Sequence, residues 1–353
     1  MGDRVVKESA GDRRVARRLV ESVVLAQGNI FIRELLRRKK LRIGTKKEDF
    51  EANLLEAIDA GDLGLADITE WLDEIEGWGD QHVYLYHLPQ AYAADRIWRS
   101  ADEVKKRIPK ADIELWNAVS LQFPEEWALT GIFHGGDFLQ YVWHERITTL
   151  LRRPGMDRRE YIEGDWYQFR ANLERPDRAV MRFVLHFGKG IAVAFLQIPA
   201  EGSAHQDALS MIQKATKPIV DWATLVPFSA SDAIKNLDQA ALENEAVAGV
   251  KSQKTRLTDA GNYIEFASTS QDAGYRQSAA VRSVRRAVKP ESFAGNSGVF
   301  LYNAHTPTQL QRPVKIEIFG EQRRIRLWAQ LKADEVWEIL DLLRNAEQWK
   351  AKN

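Results

Sequence analysis

The strongest constraint on the fold is a change of hydrophobic period at Gln81. Before it, apolar residues recur at helical spacing: Val15, Leu19 and Val23, then Ile32, Leu35 and Leu36, then Phe50, Leu54 and Ile58, then Ile68, Trp71, Leu72 and Ile75. Residues three and four apart share one face of a helix, so each group predicts a buried stripe. From His82 to His87 the chain alternates and is rich in β-formers, which predicts a strand. Further helices are expected near 90–107, 110–121, 205–222 and 231–249. Strands are expected near 126–133, 166–173, 179–187 and 191–198, with Gly188–Lys189–Gly190 as the turn joining the last two. The tail reads as a strand (263–267), a basic helix (276–288), a strand (298–302), a hairpin (314–319 with 324–329) and a final helix (333–349). Helices first and segregated sheets after define an α+β chain. Three segments are expected: a helical domain over 1–78, a mixed α/β domain with antiparallel strands over 79–200, and a helical linker with a strand–hairpin–helix domain over 201–353.

The charge balance, 50 Lys plus Arg against 50 Asp plus Glu, conceals a sharp asymmetry. Fourteen basic residues lie between Arg4 and Lys47, against four acids. Between Asp49 and Asp80 there are 11 acids and no Lys or Arg. A positive surface that attracts polyanions is thus expected beside a negative one. The chain has no cysteine, which excludes a disulfide framework, a thiolate nucleophile and zinc–thiolate or iron–sulfur sites. No apolar run approaches the roughly 20 residues needed to span a bilayer. The N-terminal stretch lacks the apolar core of a signal peptide, so a cytoplasmic protein without a membrane partner is expected.

The basic residues concentrate around two short helices joined by Leu41–Arg42–Ile43–Gly44. Arg33, Arg37, Arg38, Lys39 and Lys40 lie on the first helix, Arg42 on the link, and Gly44, Thr45, Lys46 and Lys47 at the start of the second. Thr45 and Glu48 have capping-box spacing. A helix start offers backbone N–H groups and a positive dipole end to a phosphate. The run from Arg33 to Leu41, the turn Gly44–Thr45–Lys46–Lys47–Glu48, and Phe50 with Leu54 resemble the SAP motif, a helix–extended–helix DNA-binding module. That resemblance implies that Gly44, Lys46 and the second helix's start face double-stranded DNA. The competing reading is a solvated helix pair or a death-fold-like protein-interaction module.

A second candidate track is Arg282, Arg285, Arg286 and Lys289, which fall on one helical stripe opposite Val281, Val284 and Val288. A third is the hairpin near 314–329, with Lys315, Arg324 and Arg326 opposite an inward face of Val314, Ile316, Ile318, Ile325 and Leu327. Such charges also serve to protect a sheet edge. Enzymatic chemistry has weaker support. His134, Asp137, His144 and Glu145 cluster locally but match no zinc spacing. His82 and His87, five apart on a strand, point to opposite faces. No catalytic residue, metal or cofactor is assigned.

The order of elements, from the helix–strand passage at Ile68–Leu88 through the strands of Trp166–Pro199 to Phe300–Leu343, resembles the centromere protein N family. That resemblance implies a non-enzymatic DNA- or nucleosome-surface adaptor that also docks a protein through its C-terminal sheet. The Ala- and Arg-rich, cysteine-free composition looks more bacterial than eukaryotic, so a prokaryotic nucleoid, partition or phage-defence component is expected to use the same DNA-binding physics. The expected function is therefore a largely sequence-independent double-stranded-DNA-binding adaptor with a protein partner. The alternatives are a protein-interaction module docking through the acidic helical face or the C-terminal sheet, and an enzyme built around His134, Asp137 and His144.

Overall fold

A computed structural model describes residues 9–118, 121, 123–197, 204–259, 261–269, 274–275, 278–287, 293–302, 310 and 312–348. The helical start comprises α1 (Ala10–Leu19), a π-turn over Val20–Val24, α2 (Asn29–Arg38), α3 (Lys47–Ala60) and α4 (Leu65–Ile75). There follow β1 (His82–His87), the short helices α5 (Gln90–Ala94) and α6 (Ala101–Lys105), β2 (Ala128–His134) and β3 (Phe138–Arg152). Next come β4 (Arg158–Ile162), β5 (Asp165–Phe169), β6 (Asn172–His186), β7 (Ile191–Leu196), α7 (Ala204–Thr216) and β8 (Val226–Pro227). The chain continues with α8 (Ala230–Glu243), α9 (Glu245–Ala248), β9 (Val250–Asp259), β10 (Asn262–Ala267) and α10 (Ala279–Ala287). It ends with β11 (Ala294–Tyr302), β12 (Val314–Phe319), β13 (Arg324–Leu327) and α11 (Ala333–Gln348). The α+β class is as expected.

The chain divides into two compact units. The first takes 1–73, 119–130 and 143–180, and the second takes 74–118, 131–142 and 181–353. The interleaving arises because β3 and β6, 15 residues each, contribute residues to both units. Helices expected over 90–107 and 110–121 are reduced to α5, α6 and isolated 3₁₀ turns. The strand expected over 166–173 is broken, with β5 ending at Phe169 and β6 beginning at Asn172.

The larger sheet, most of it in the second unit, runs β10–β9–β11–β12–β13–β1–β7–β6–β3–β2, with β8 beside β1. The strand expected at His82–His87 is a central one, antiparallel to both β13 and β7. Val83 and Leu85, with Ile316, Ile318, Ile325 and Leu327, face a core shared with Ile234 and Leu237 of α8 and Val336, Ile339 and Leu343 of α11. Each such side chain, fully buried, contributes roughly 1.5–3 kcal/mol. A Cβ on Gly295 would lie 2.4 Å from the Ser231 carbonyl oxygen, so glycine lets β11 lie directly against α8.

The opposite face of β1 buries a polar group. His82 packs edge-on against His205, ring centroids 4.5 Å apart, and the Tyr84 hydroxyl lies 3.1 Å from His205 Nδ1. Burial, then the charges of Arg326 and Arg324 and the neighbouring His205, push the His82 imidazole down to about 3. In the unfolded chain a histidine titrates near 6.5, so below that value the unfolded state holds a proton that the folded state refuses. Stability from His82 is complete above pH 6.5 and declines as the pH falls toward 3, by up to about 1.4 kcal/mol per pH unit. Urea unfolding at about pH 7 and about pH 5 checks this, with His82→Asn expected to flatten the dependence; an unchanged slope in that variant assigns the effect elsewhere.

Candidate nucleic-acid interface

In the first unit, α2 buries Phe31, Ile32, Leu35 and Leu36, as its spacing predicts. Its last turn carries Arg37 and Arg38, favoured beside the negative end of the helix dipole. Arg38 pairs with Glu34 at 3.4 Å, one turn back. The chain leaves α2 through Lys40, whose φ is 57°, and the Leu41 N–H donates to the Leu36 carbonyl at 2.8 Å. This closure is normally built on glycine, because a Cβ in left-handed backbone costs about 1–2 kcal/mol.

The link then folds back onto α3. A Cβ placed on Gly44 would lie 2.0 Å from the Asp49 Cβ, so this position requires glycine. Gly44→Ala is expected to destabilise the first unit by about 1–3 kcal/mol, measured by urea unfolding; a loss below about 0.5 kcal/mol would show that the contact relaxes freely. The helix start differs from expectation. Asp49, not Glu48, closes it, accepting from the Thr45 N–H at 2.8 Å, the Lys46 N–H at 3.1 Å and the Thr45 hydroxyl at 3.2 Å. Those backbone N–H groups hold the Asp49 carboxyl below its ordinary value. The amides expected to cradle a phosphate at Gly44–Thr45–Lys46 thus already hold an internal carboxylate.

The basic residues sort into two groups. Lys47 donates to the carbonyls of Leu25 and Gln27, and burial lowers its pKa, so it caps the end of the helical stretch that precedes α2. Lys39 is held by Asp67, and Arg33 lies over the Phe50 ring at 5.5 Å. Arg37, Arg38, Lys40, Arg42 and Lys46 are exposed. Arg13 and Arg14 on α1 are exposed as well; their side chains were legible only as part of the basic run. The acidic stretch is partly spent inside the unit, with Asp59 on Arg17 at 2.7 Å and Glu51 on Arg175 at 2.9 Å.

The stripe expected on α10 does not form. Arg285 is 1 % exposed, and its Nε donates to Asp238 Oδ2 at 2.7 Å. Val284, expected inside, is 55 % exposed, while Arg282 faces outward. The helix is rotated relative to its hydrophobic pattern because the buried Asp238 carboxylate draws a cation inward. Lys289 and the side chain of Arg286 lie outside the described residues.

On the β12–β13 hairpin the expected inward residues are all buried. On the other face Trp328 is half-exposed, with Lys315 Nζ 4.8 Å and the Arg326 guanidinium 5.2 Å from its ring. Arg324 is buried over the Phe319 ring at 4.2 Å.

The histidine-containing cluster finds ordinary partners. His134 Nε2 lies 2.7 Å from the Trp98 carbonyl oxygen, Asp137 is 4.0 Å from Arg99, and His144 Nδ1 is 2.6 Å from the Thr130 hydroxyl. Among the described residues no group of three or more metal-capable side chains is placed to hold an ion. No helix among them is long and apolar enough to cross a membrane. No protein-family model matches the sequence, and the curated proteins contain no significant match to it.

Proposed function

We propose that this protein is a non-enzymatic, largely sequence-independent double-stranded-DNA-binding adaptor. The first unit grips phosphates through Arg37, Arg38, Lys40, Arg42 and Lys46, at the end of α2 and along its link to α3. The observation that carries this reading is Lys40, an exposed cation in a backbone conformation that glycine would occupy at less cost. Strain retained at one exposed lysine, amid four other exposed cations, points to work done by its charge. Phosphate contacts of this type carry no base information, which fits sequence-independent binding. The cytoplasm or a nucleoid is the corresponding location.

The test is a titration of the full chain with duplex DNA at several salt concentrations. Five phosphate contacts give a slope of log affinity on log salt of about −4.5. Lys40→Gly separates charge from fold: stability should not fall, while affinity drops and the slope loses about one unit. Unchanged affinity in Lys40→Gly at undiminished stability removes the reading's main support. A second reading, docking of an acidic protein partner on the C-terminal sheet, is favoured by half-exposed Trp328 between Lys315 and Arg326, since aromatic anchors of this kind dominate interfaces.

A further inference from the structure

Of fourteen large apolar side chains exposed among the described residues, eight fall within residues 150–173. Trp166 is 65 % exposed and Tyr161 62 %, and Tyr167 and Phe169 are also exposed. They lie on the β4–β5 hairpin, a separate two-stranded sheet in the first unit. Its turn, Glu163–Gly164, has φ of 52° and 98°, the paired positive values of a two-residue hairpin turn. A two-stranded hairpin with apolar side chains in water is marginal by itself, so this one is built to be covered.

The charge of the segment limits what covers it. Arg152, Arg153, Arg158, Arg159 and Arg170 are nearly balanced by Asp157, Glu160, Glu163 and Asp165. Arg152 already pairs with Asp157, and Arg158 with Glu160 at 3.1 Å. A polyanion or an anionic lipid surface would call for an excess of one sign; a near-neutral, mixed surface suits a partner of the same composition.

The register of the hairpin suits pairing with a second copy of the same strand. Ile162 opposite Asp165 brackets the turn and is a hydrogen-bonded pair, so Tyr161–Trp166 and Arg159–Gln168 are non-hydrogen-bonded pairs. The N–H and C=O groups of Trp166 and Gln168 therefore point away from β4, along the open edge of β5. Two antiparallel copies of one strand, related by a two-fold axis normal to the sheet, must pair residues of equal parity. Centred on Gln168, this sets Tyr167 against the partner's Phe169 and Trp166 against the partner's Arg170. The first is an aromatic pair at the closer, non-hydrogen-bonded spacing; the second is a cation–π pair, like that of Arg159 over Trp166 at 5.5 Å within one hairpin. Centring on Tyr167 instead puts Asp165 against the partner's Phe169. On the β4 edge, centring on Arg159 or Glu160 sets like charges face to face.

We propose that this protein forms a two-fold dimer by antiparallel pairing of β5 with β5 of a second copy, centred on Gln168, to give a four-stranded sheet. A single strand pair is a small contact beside a standard interface of roughly 800 Å² per partner, so micromolar association is expected. The inference does not rest on DNA binding, and its test contains no DNA.

Sedimentation equilibrium of the full chain from about 1 to about 200 µM should show a concentration-dependent monomer–dimer equilibrium. Trp166→Ser/Tyr167→Ser/Phe169→Ser should weaken it by about tenfold or more, with the rest of the fold kept because these residues are exposed and lie on a separate two-stranded sheet. The cysteine-free chain permits a second arm of the test. Gln168 faces its own copy at a Cα separation of about 5.5 Å, within disulfide range, so Gln168→Cys should cross-link under mild oxidation. Tyr167→Cys should cross-link far less. A chain that stays monomeric overturns the proposal, as does a dimer indifferent to the triple substitution, or cross-linking as efficient at position 167 as at 168. If the triple variant fails to fold, the cysteine pair decides.

Discussion

Asp238→Ala is expected to cost about 3–5 kcal/mol, enough to unfold much of the second unit at moderate temperature. Asp238 is fully buried on α8 and accepts from three directions: the Thr255 hydroxyl of β9 at 3.1 Å, the Tyr275 hydroxyl, and Arg285 Nε of α10 at 2.7 Å. Both side chains of the Arg285–Asp238 pair have no exposure at all. Removing the carboxylate leaves a buried guanidinium without its counter-charge, which costs far more than the pair itself contributes. Asp238→Ala/Arg285→Met should therefore recover a large part of the loss, because an apolar pair of similar volume avoids the desolvation of both ions. Urea midpoints of the three proteins decide the matter. A single substitution costing under about 1 kcal/mol, or a double no better than the single, would mean that water reaches the site.

The second large effect concerns DNA. Arg37→Glu/Arg38→Glu/Arg42→Glu/Lys46→Glu should weaken duplex binding by about ten-thousandfold or more at low salt. Each charge-assisted phosphate contact is worth about 1.5–3 kcal/mol, and each reversal adds repulsion in a medium that screens it only beyond about 10 Å. All four side chains are exposed, so the fold should persist, with a loss of about 1–2 kcal/mol from placing Glu at the negative end of α2 and beside Glu34. Lys47→Gln is the informative contrast. It should lower stability, since Lys47 Nζ donates to the carbonyls ending the helical stretch that precedes α2, and leave the affinity of the folded protein nearly unchanged. If Lys47→Gln abolishes binding while the fourfold reversal does not, the contact surface lies elsewhere.

Most strands and helices were legible where local pattern and burial agree. β1, the β12–β13 hairpin and α11 carry apolar residues at the period of their backbone, and for the hairpin the inward face is also legible residue by residue. β9 escaped because Ser252 and Thr255 occupy two of its buried positions, so the alternation is one of space and not of hydrophobicity. The β4–β5 hairpin carries its mark, Gly164 after Glu163, but exposed apolar residues on both faces erase any period. The α10 rotation was invisible for a different reason: its cause, Asp238, lies 47 residues away from Arg285. At the candidate interface, composition identified the cations but not their allegiance. That Lys39 belongs to Asp67 and Lys47 to two carbonyls depends on packing that no spacing encodes.

The first unit is assembled from three separated stretches of chain, with Arg153 and Arg175 reaching Glu48 and Glu51 from the third. A gene fusion or excision at residue 78 would deliver the basic helices without those partners. Glu48 and Glu51 would then lose the cations they meet in the whole chain, so the basic helices are expected to be less stable as an excised piece than in place.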